Sequence, residues 1–259
     1  MNQHIYNVWR SKQAAKQDIA AMFLPTLGVT ALFLLPAALI FAVFALVCGT
    51  DMDAIRQLSD RQLLTCLGVY LLAQLLIVQP LYYGLMQFYA LLRGGVRPSM
   101  CAVMLCLASF DQYARALRLS LSILLFAVLW AIPLAVACGA GCALYAVVLP
   151  NGFGMFLCIE IILLALTAYI AKIMQYHCAY SLMIERPDLS CWKAVRLCAD
   201  TFRGHNRAMF RLTASFLLWF LVTIWFGGVP LIFVCPYFLL SVFHLFDRVR
   251  GIRIKIVED

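Results

Sequence analysis

An all-α, polytopic transmembrane bundle of six spans is the fold this sequence predicts, and three observations predict it. Of 259 residues, 65% are apolar and only 12% charged, against roughly 45–50% and about 25% in soluble domains. The mean hydropathy is +0.93. The apolar residues also gather into runs long enough to cross a bilayer, which takes about 20 helical residues. A water-soluble domain and a disordered chain are both excluded. The whole length reads as one transmembrane domain.

The elements follow in order. Residues 5–20 are polar enough to form an amphipathic helix, with Trp9 as an interfacial anchor. The first span, 22–48, begins too late and runs too long for a secretory signal. Spans two and three, 63–92 and 117–149, each contain a proline, Pro80 and Pro133, expected to kink them. Span four is 152–181. Spans five and six, 208–226 and 229–246, are short and joined by Gly227-Gly228. They read as a hairpin that just crosses or as a re-entrant pair, because Pro236 is expected to interrupt the sixth.

Two connections read as further amphipathic helices, 99–116 and 190–203. In the second, Lys193, Arg196, Asp200 and Arg203 form one stripe, and Cys191, Ala194, Val195, Cys198 and Phe202 form the opposite one. Ser190 suits its start and Gly204 its end. In the first, Asp111, Arg115 and Arg118 mark one face of an otherwise apolar stretch. Both helices are expected to lie in the headgroup layer.

Basic residues orient these spans. Of the 20 Lys and Arg, all but Arg56 and Arg61 fall on one side of the six-span arrangement. The positive-inside rule then predicts both termini in the cytoplasm, with 49–62 and 150–153 outward. The formal charge of +8 is accounted for by loops facing an anionic leaflet, without a nucleic-acid surface. A weak repeat runs through the same regions. Met86-Gln87-Phe88 matches Met174-Gln175-Tyr176, and beyond it Pro98, Asp111, Tyr113, Arg118 and Trp130 match Pro187, Asp200, Phe202, Arg207 and Trp219.

Candidate chemistry is sparse. Glu160 is the only acid inside a predicted span; it suits either a transport path or a hydrogen-bonded structural carboxyl. Lys172, three turns on, is expected to snorkel to the inner surface. His177, His205 and His244 share no spacing motif, and the 11 cysteines include no CxxC pair. Ser120 and Ser122 lack a nucleophile-elbow context. Ala135/Gly139 and Ala137/Gly141 form small-xxx-small pairs that suit close helix packing. No metal, cofactor or catalytic constellation is implied.

In its second half the chain resembles a known family. The residues are Tyr180, Glu185-Arg186-Pro187-Asp188-Leu189-Ser190, Ala194-Val195-Arg196-Leu197, Gly204-His205, Phe210-Arg211-Leu212, Ser215-Phe216, Trp219 and Pro236-Tyr237. This pattern is similar to the bacterial integral membrane family catalogued as domain of unknown function nine-seventy-five. Cys198, Phe202 and Leu218 depart from it. The resemblance implies a bacterial cytoplasmic membrane and a six-span layout, and supplies no activity. The function expected is a non-enzymatic scaffold or lipid-interacting protein. Its basic stripe, Lys193, Arg196, Arg203 and Arg207 with Arg115 and Arg118, would face anionic headgroups. The alternative is a small transporter using Glu160.

Overall fold

A bilayer admits backbone only where its N–H and C=O groups are paired internally, which favours helices. The computed structural model describes residues 3–49, 59–104, 107, 109–148 and 151–258, and no strand occurs among them. Six helical stretches are long and apolar enough to cross a membrane: Phe23–Cys48, Asp60–Arg93, Phe110–Val147, Gly152–Glu185, Asn206–Trp225 and Leu231–Gly251. The protein is an all-α, multi-pass membrane protein. The connection around Asp51, Asp53 and Arg56, expected to face outward, lies outside the described residues, as does Pro150.

The helices are α1 (Gln3–Ala21), α2 (Phe23–Cys48), α3 (Asp60–Ala73), α4 (Gln79–Arg93), α5 (Phe110–Ala143), α6 (Gly152–Glu185), α7 (Cys191–Thr201), α8 (Asn206–Trp225) and α9 (Leu231–Glu258). The polar opener ends where predicted. Met22 leaves helical geometry at φ −140° and ψ 51°, and α2 begins at Phe23. The chain packs as two units, one of Asp18–Ser120 and one of Met1–Gln17 with Leu121–Asp259.

In the unit of residues 18–120, Ser59 starts α3 with a reciprocal cap. Its hydroxyl accepts from the Gln62 N–H at 3.3 Å, and Gln62 Oε1 accepts from the Ser59 N–H at 3.0 Å. A single π-helical turn, Gln74–Val78, joins α3 to α4 just before Pro80. Pro80 has no N–H to give the Leu76 carbonyl four residues back. The Tyr113 hydroxyl donates to that carbonyl instead, at 2.9 Å. A hydrogen bond of 2.7 Å between the Thr30 and Tyr89 hydroxyls ties α2 to α4. Gly84 then lets the backbone of a 3₁₀ turn, Met100–Val103, lie directly against α4.

The Leu76 carbonyl gives a testable cycle. Tyr113→Phe should cost about 1–3 kcal/mol, because it leaves an acceptor unsatisfied in a spanning helix. In a Pro80→Ala background the restored N–H takes the carbonyl, and the same change should cost almost nothing. Denaturant titration of the four proteins measures the coupling; equal costs in both backgrounds would exclude the interaction.

Of the stretch 99–116 expected to form a separate amphipathic helix, residues 110–116 belong to the helix of the third span. After the 3₁₀ turn, α5 starts at Phe110 and runs without a break into the third span, past Asp111, Arg115 and Arg118. The reason is local. The matching connection after α7 turns at Gly204, whose φ of +89° only glycine adopts freely. Its counterpart in the repeat is Arg115, a good helix former, so the helix propagates.

In the other unit, the Asn151 side chain accepts from the Gly154 N–H at 2.9 Å and opens α6, a helix of 34 residues. That is about 50 Å, well beyond the roughly 30 Å hydrocarbon layer. The tight turn between α8 and α9 uses Gly227 and Gly228, at φ +60° and +88°. Pro236 does not interrupt the sixth span. It sits in the second turn of α9, where it deletes one hydrogen bond, and the helix continues. With 20 residues in α8, both final helices are long enough to cross, and no re-entrant pair is needed.

Helix α1 packs its small residues inward: Ser11 and Ala15 are fully buried. Lys12 Nζ lies 4.5 Å from the centroid of Phe216, and Lys16 Nζ 5.8 Å from that of Tyr237. Burial pulls the Lys12 ammonium below its ordinary 10.5, and Lys16 beside it adds to the effect. Phe216 stands edge-on to Tyr237 and Phe238, at 4.9 and 5.1 Å. Trp9 stays 54% exposed.

Candidate functional site

The basic stripe is built by α7 and the start of α8. Ala194, Val195, Cys198, Thr201 and Phe202 are buried, while Lys193, Arg196, Asp200, Arg203 and Arg207 are exposed, and Arg211 extends the row. The Ser190 peptide begins the helix through its carbonyl, which accepts from the Ala194 N–H; its hydroxyl makes no cap bond. Arg196 rests over the Trp192 ring at 5.0 Å. Cys198 is fully buried, and that burial pushes its thiol up, keeping it protonated. Arg115, half-buried, and Arg118, exposed, sit at the head of α5 and not on a surface helix.

Glu160 is exposed on α6 and is not among the residues of the cleft described below. His177 stacks on Tyr180 at 5.7 Å. Among the described residues no group of three or more His, Cys, Asp or Glu is placed to hold a metal.

Sequence reading missed the most organised polar cluster. Lys172 does not simply reach the surface: it is half-buried, and its ammonium donates to Gln175 Oε1 at 3.1 Å. Gln175, itself 1% exposed, donates from Nε2 to Asn206 Oδ1 at 2.9 Å. Lys172 also lies 5.3 Å from the Trp130 ring centroid, within cation–π range. From there an aromatic run leads to the basic stripe. Trp130 Nε1 donates to the Tyr176 hydroxyl at 2.9 Å, Tyr176 stacks on Phe126 at 4.9 Å, and Phe126 stacks on Trp192 at 5.0 Å. Arg196 covers the far end.

This cluster borders a cleft of about 400 Å³ between α5, α6 and α8, lined mostly by apolar side chains. Lys172 and Gln175 stand one turn apart on α6, so their pairing is written in the sequence as an i, i+3 spacing. Trp130 and Asn206 come from helices distant in the chain and had no such signal. No family model, curated protein or solved structure matches the chain.

Proposed function

We propose that this is a non-enzymatic, lipid-interacting protein of a bacterial cytoplasmic membrane, with both termini cytoplasmic and the basic stripe on the anionic leaflet. The orientation rests on the one-sided distribution of Lys and Arg. Membership of the family catalogued as domain of unknown function nine-seventy-five is proposed on the residue pattern between Tyr180 and Tyr237. The observation that carries the functional reading is the face of α7. Its apolar side is buried in its own unit, and its cations stay exposed beside Arg207 and Arg211. A helix held by its core contacts and presenting cations is a surface for headgroups.

Each such residue near an anionic leaflet contributes on the order of 1 kcal/mol, screened within a Debye length. Asp200 in the same row moderates the sum. Replacing Lys193, Arg196, Arg203 and Arg207 by Gln should lower co-purifying anionic lipid about tenfold or more and remove its salt sensitivity, with unfolding unchanged. Unaltered lipid content would reduce the stripe to a topology signal. Glu160, exposed and away from the cleft, gives the transport alternative no support.

A further inference from the structure

We propose that the cleft between α5, α6 and α8 is a binding site for an amphiphile with one acyl chain and an anionic head, held by Lys172 and Asn206. The proposal takes its ligand class from the lipid-interacting reading, but its residues lie outside the basic stripe.

The direction of the hydrogen bonds selects the charge of the head. Lys172 donates to Gln175, and Gln175 donates to Asn206. Both acceptor oxygens of this chain are thereby engaged. What remains at its two ends are donors, the ammonium of Lys172 and the amide N–H₂ of Asn206. No carboxylate lines the cleft, and Lys172 is the one charged residue among its lining residues. A carboxylate or phosphate matches that mouth; a cationic or purely donating group does not.

Depth and shape select the rest. Counted from Gly152, Lys172 stands about 30 Å along α6, the thickness of the hydrocarbon layer. It therefore marks the polar boundary, and the cleft runs from it back into the apolar layer. On α6 the walls extend from Lys172 to Ala165 and on the antiparallel α5 from Trp130 to Ala137, each about 10 Å of helix axis. The two lengths agree. Ala137, Ala165, Ala168 and Ala171 leave the space that larger side chains would fill, and Pro133 lies between. The volume, about 400 Å³, lies at the lower end of the roughly 300–1,000 Å³ of small-molecule sites. A slot of that length takes the head-proximal part of one acyl chain, whose remainder lies in the surrounding lipid.

Trp130 lines the cleft and reports on its contents. The test uses the full chain in nanodiscs of phosphatidylcholine, titrated with brominated octadecanoic acid, which quenches indole on contact. The expected result is saturable quenching that disappears in Trp130→Phe. Brominated octadecanol should bind about tenfold more weakly or worse, Lys172→Gln should weaken the acid to a similar degree, and Lys172→Arg should retain it. Ala168→Phe, which fills the slot, should abolish the saturable phase. Brominated lysophosphatidic acid should bind as the acid does, whereas brominated phosphatidylglycerol should quench only in proportion to its mole fraction.

Equal binding of acid and alcohol, or an unchanged Lys172→Gln, would overturn the anionic head. Saturable binding that favours the two-chain lipid would overturn the single-chain assignment, and a saturable phase of quenching that persists without Trp130 would overturn the site. The basic-stripe variant should keep the acid site intact. Loss of the acid site with normal co-purifying lipid would therefore sink this proposal alone, and the reverse result would sink only the reading of the stripe.

Discussion

Gly84→Ala should destabilise the protein by about 3 kcal/mol or more, at or above the top of the usual range for overpacking a tight core. A Cβ at Gly84 would lie 2.2 Å from the Val103 carbonyl oxygen and 2.9 Å from its carbonyl carbon and Cα. All three are backbone atoms, so no rotamer change relieves the clash. Either α4 or the 3₁₀ turn must move, and both are locked in place: Val103, Leu85, Met86, Phe88 and Tyr89 are fully buried. Gly68 is the control. It lies in the same span, and a Cβ there would meet nothing within 4 Å, so Gly68→Ala should be neutral or stabilise the helix by up to about 1 kcal/mol. Thermal unfolding in one detergent compares the two. Similar midpoints would show that the close approach at Gly84 does not exist.

Phe216→Ala should lose about 3–5 kcal/mol, the usual range for truncating a buried aromatic. The ring is fully buried, stands edge-on to Tyr237 and Phe238, and carries Lys12 on its face. Phe216→Leu keeps most of the volume but removes the π-face, so its global effect should be near 1 kcal/mol. Both changes should loosen α1, because Lys12 loses its seat. Trypsin cutting after Lys12 and Lys16 measures this directly. An unchanged cleavage rate in Phe216→Ala would show that the cation–π contacts do not hold α1.

The spans are legible in the sequence because hydropathy acts over whole helices. The start of α2 at Phe23 and of α6 at Gly152 falls within a residue of the polar-to-apolar change. The two faces of α7 are legible because charge and small apolar residues alternate there at helical period. Where a helix is apolar all round, the pattern assigns no face. Glu160 therefore reads equally well as buried or exposed. Pro236 and the start of α5 mislead for opposite reasons: a proline near a helix start disturbs less than its residue type suggests, and the missing glycine opposite Gly204 matters more. The cleft depends on contacts 31 to 46 residues apart, which no local pattern encodes.

The Tyr113 hydroxyl at the Leu76 carbonyl also constrains the order in which such a chain can change. A hydroxyl at 113 is harmless while position 80 still carries an N–H, whereas a proline arriving first strands a carbonyl in lipid. The permissive path therefore installs tyrosine before proline and loses proline before tyrosine. The second copy of the repeat carries the complementary pair. In its register, Ala168 matches Pro80 and Phe202 matches Tyr113: with no proline to compensate, that position holds a ring without the hydroxyl. Covariation of positions 80 and 113 among relatives of this chain is the record such a history would leave.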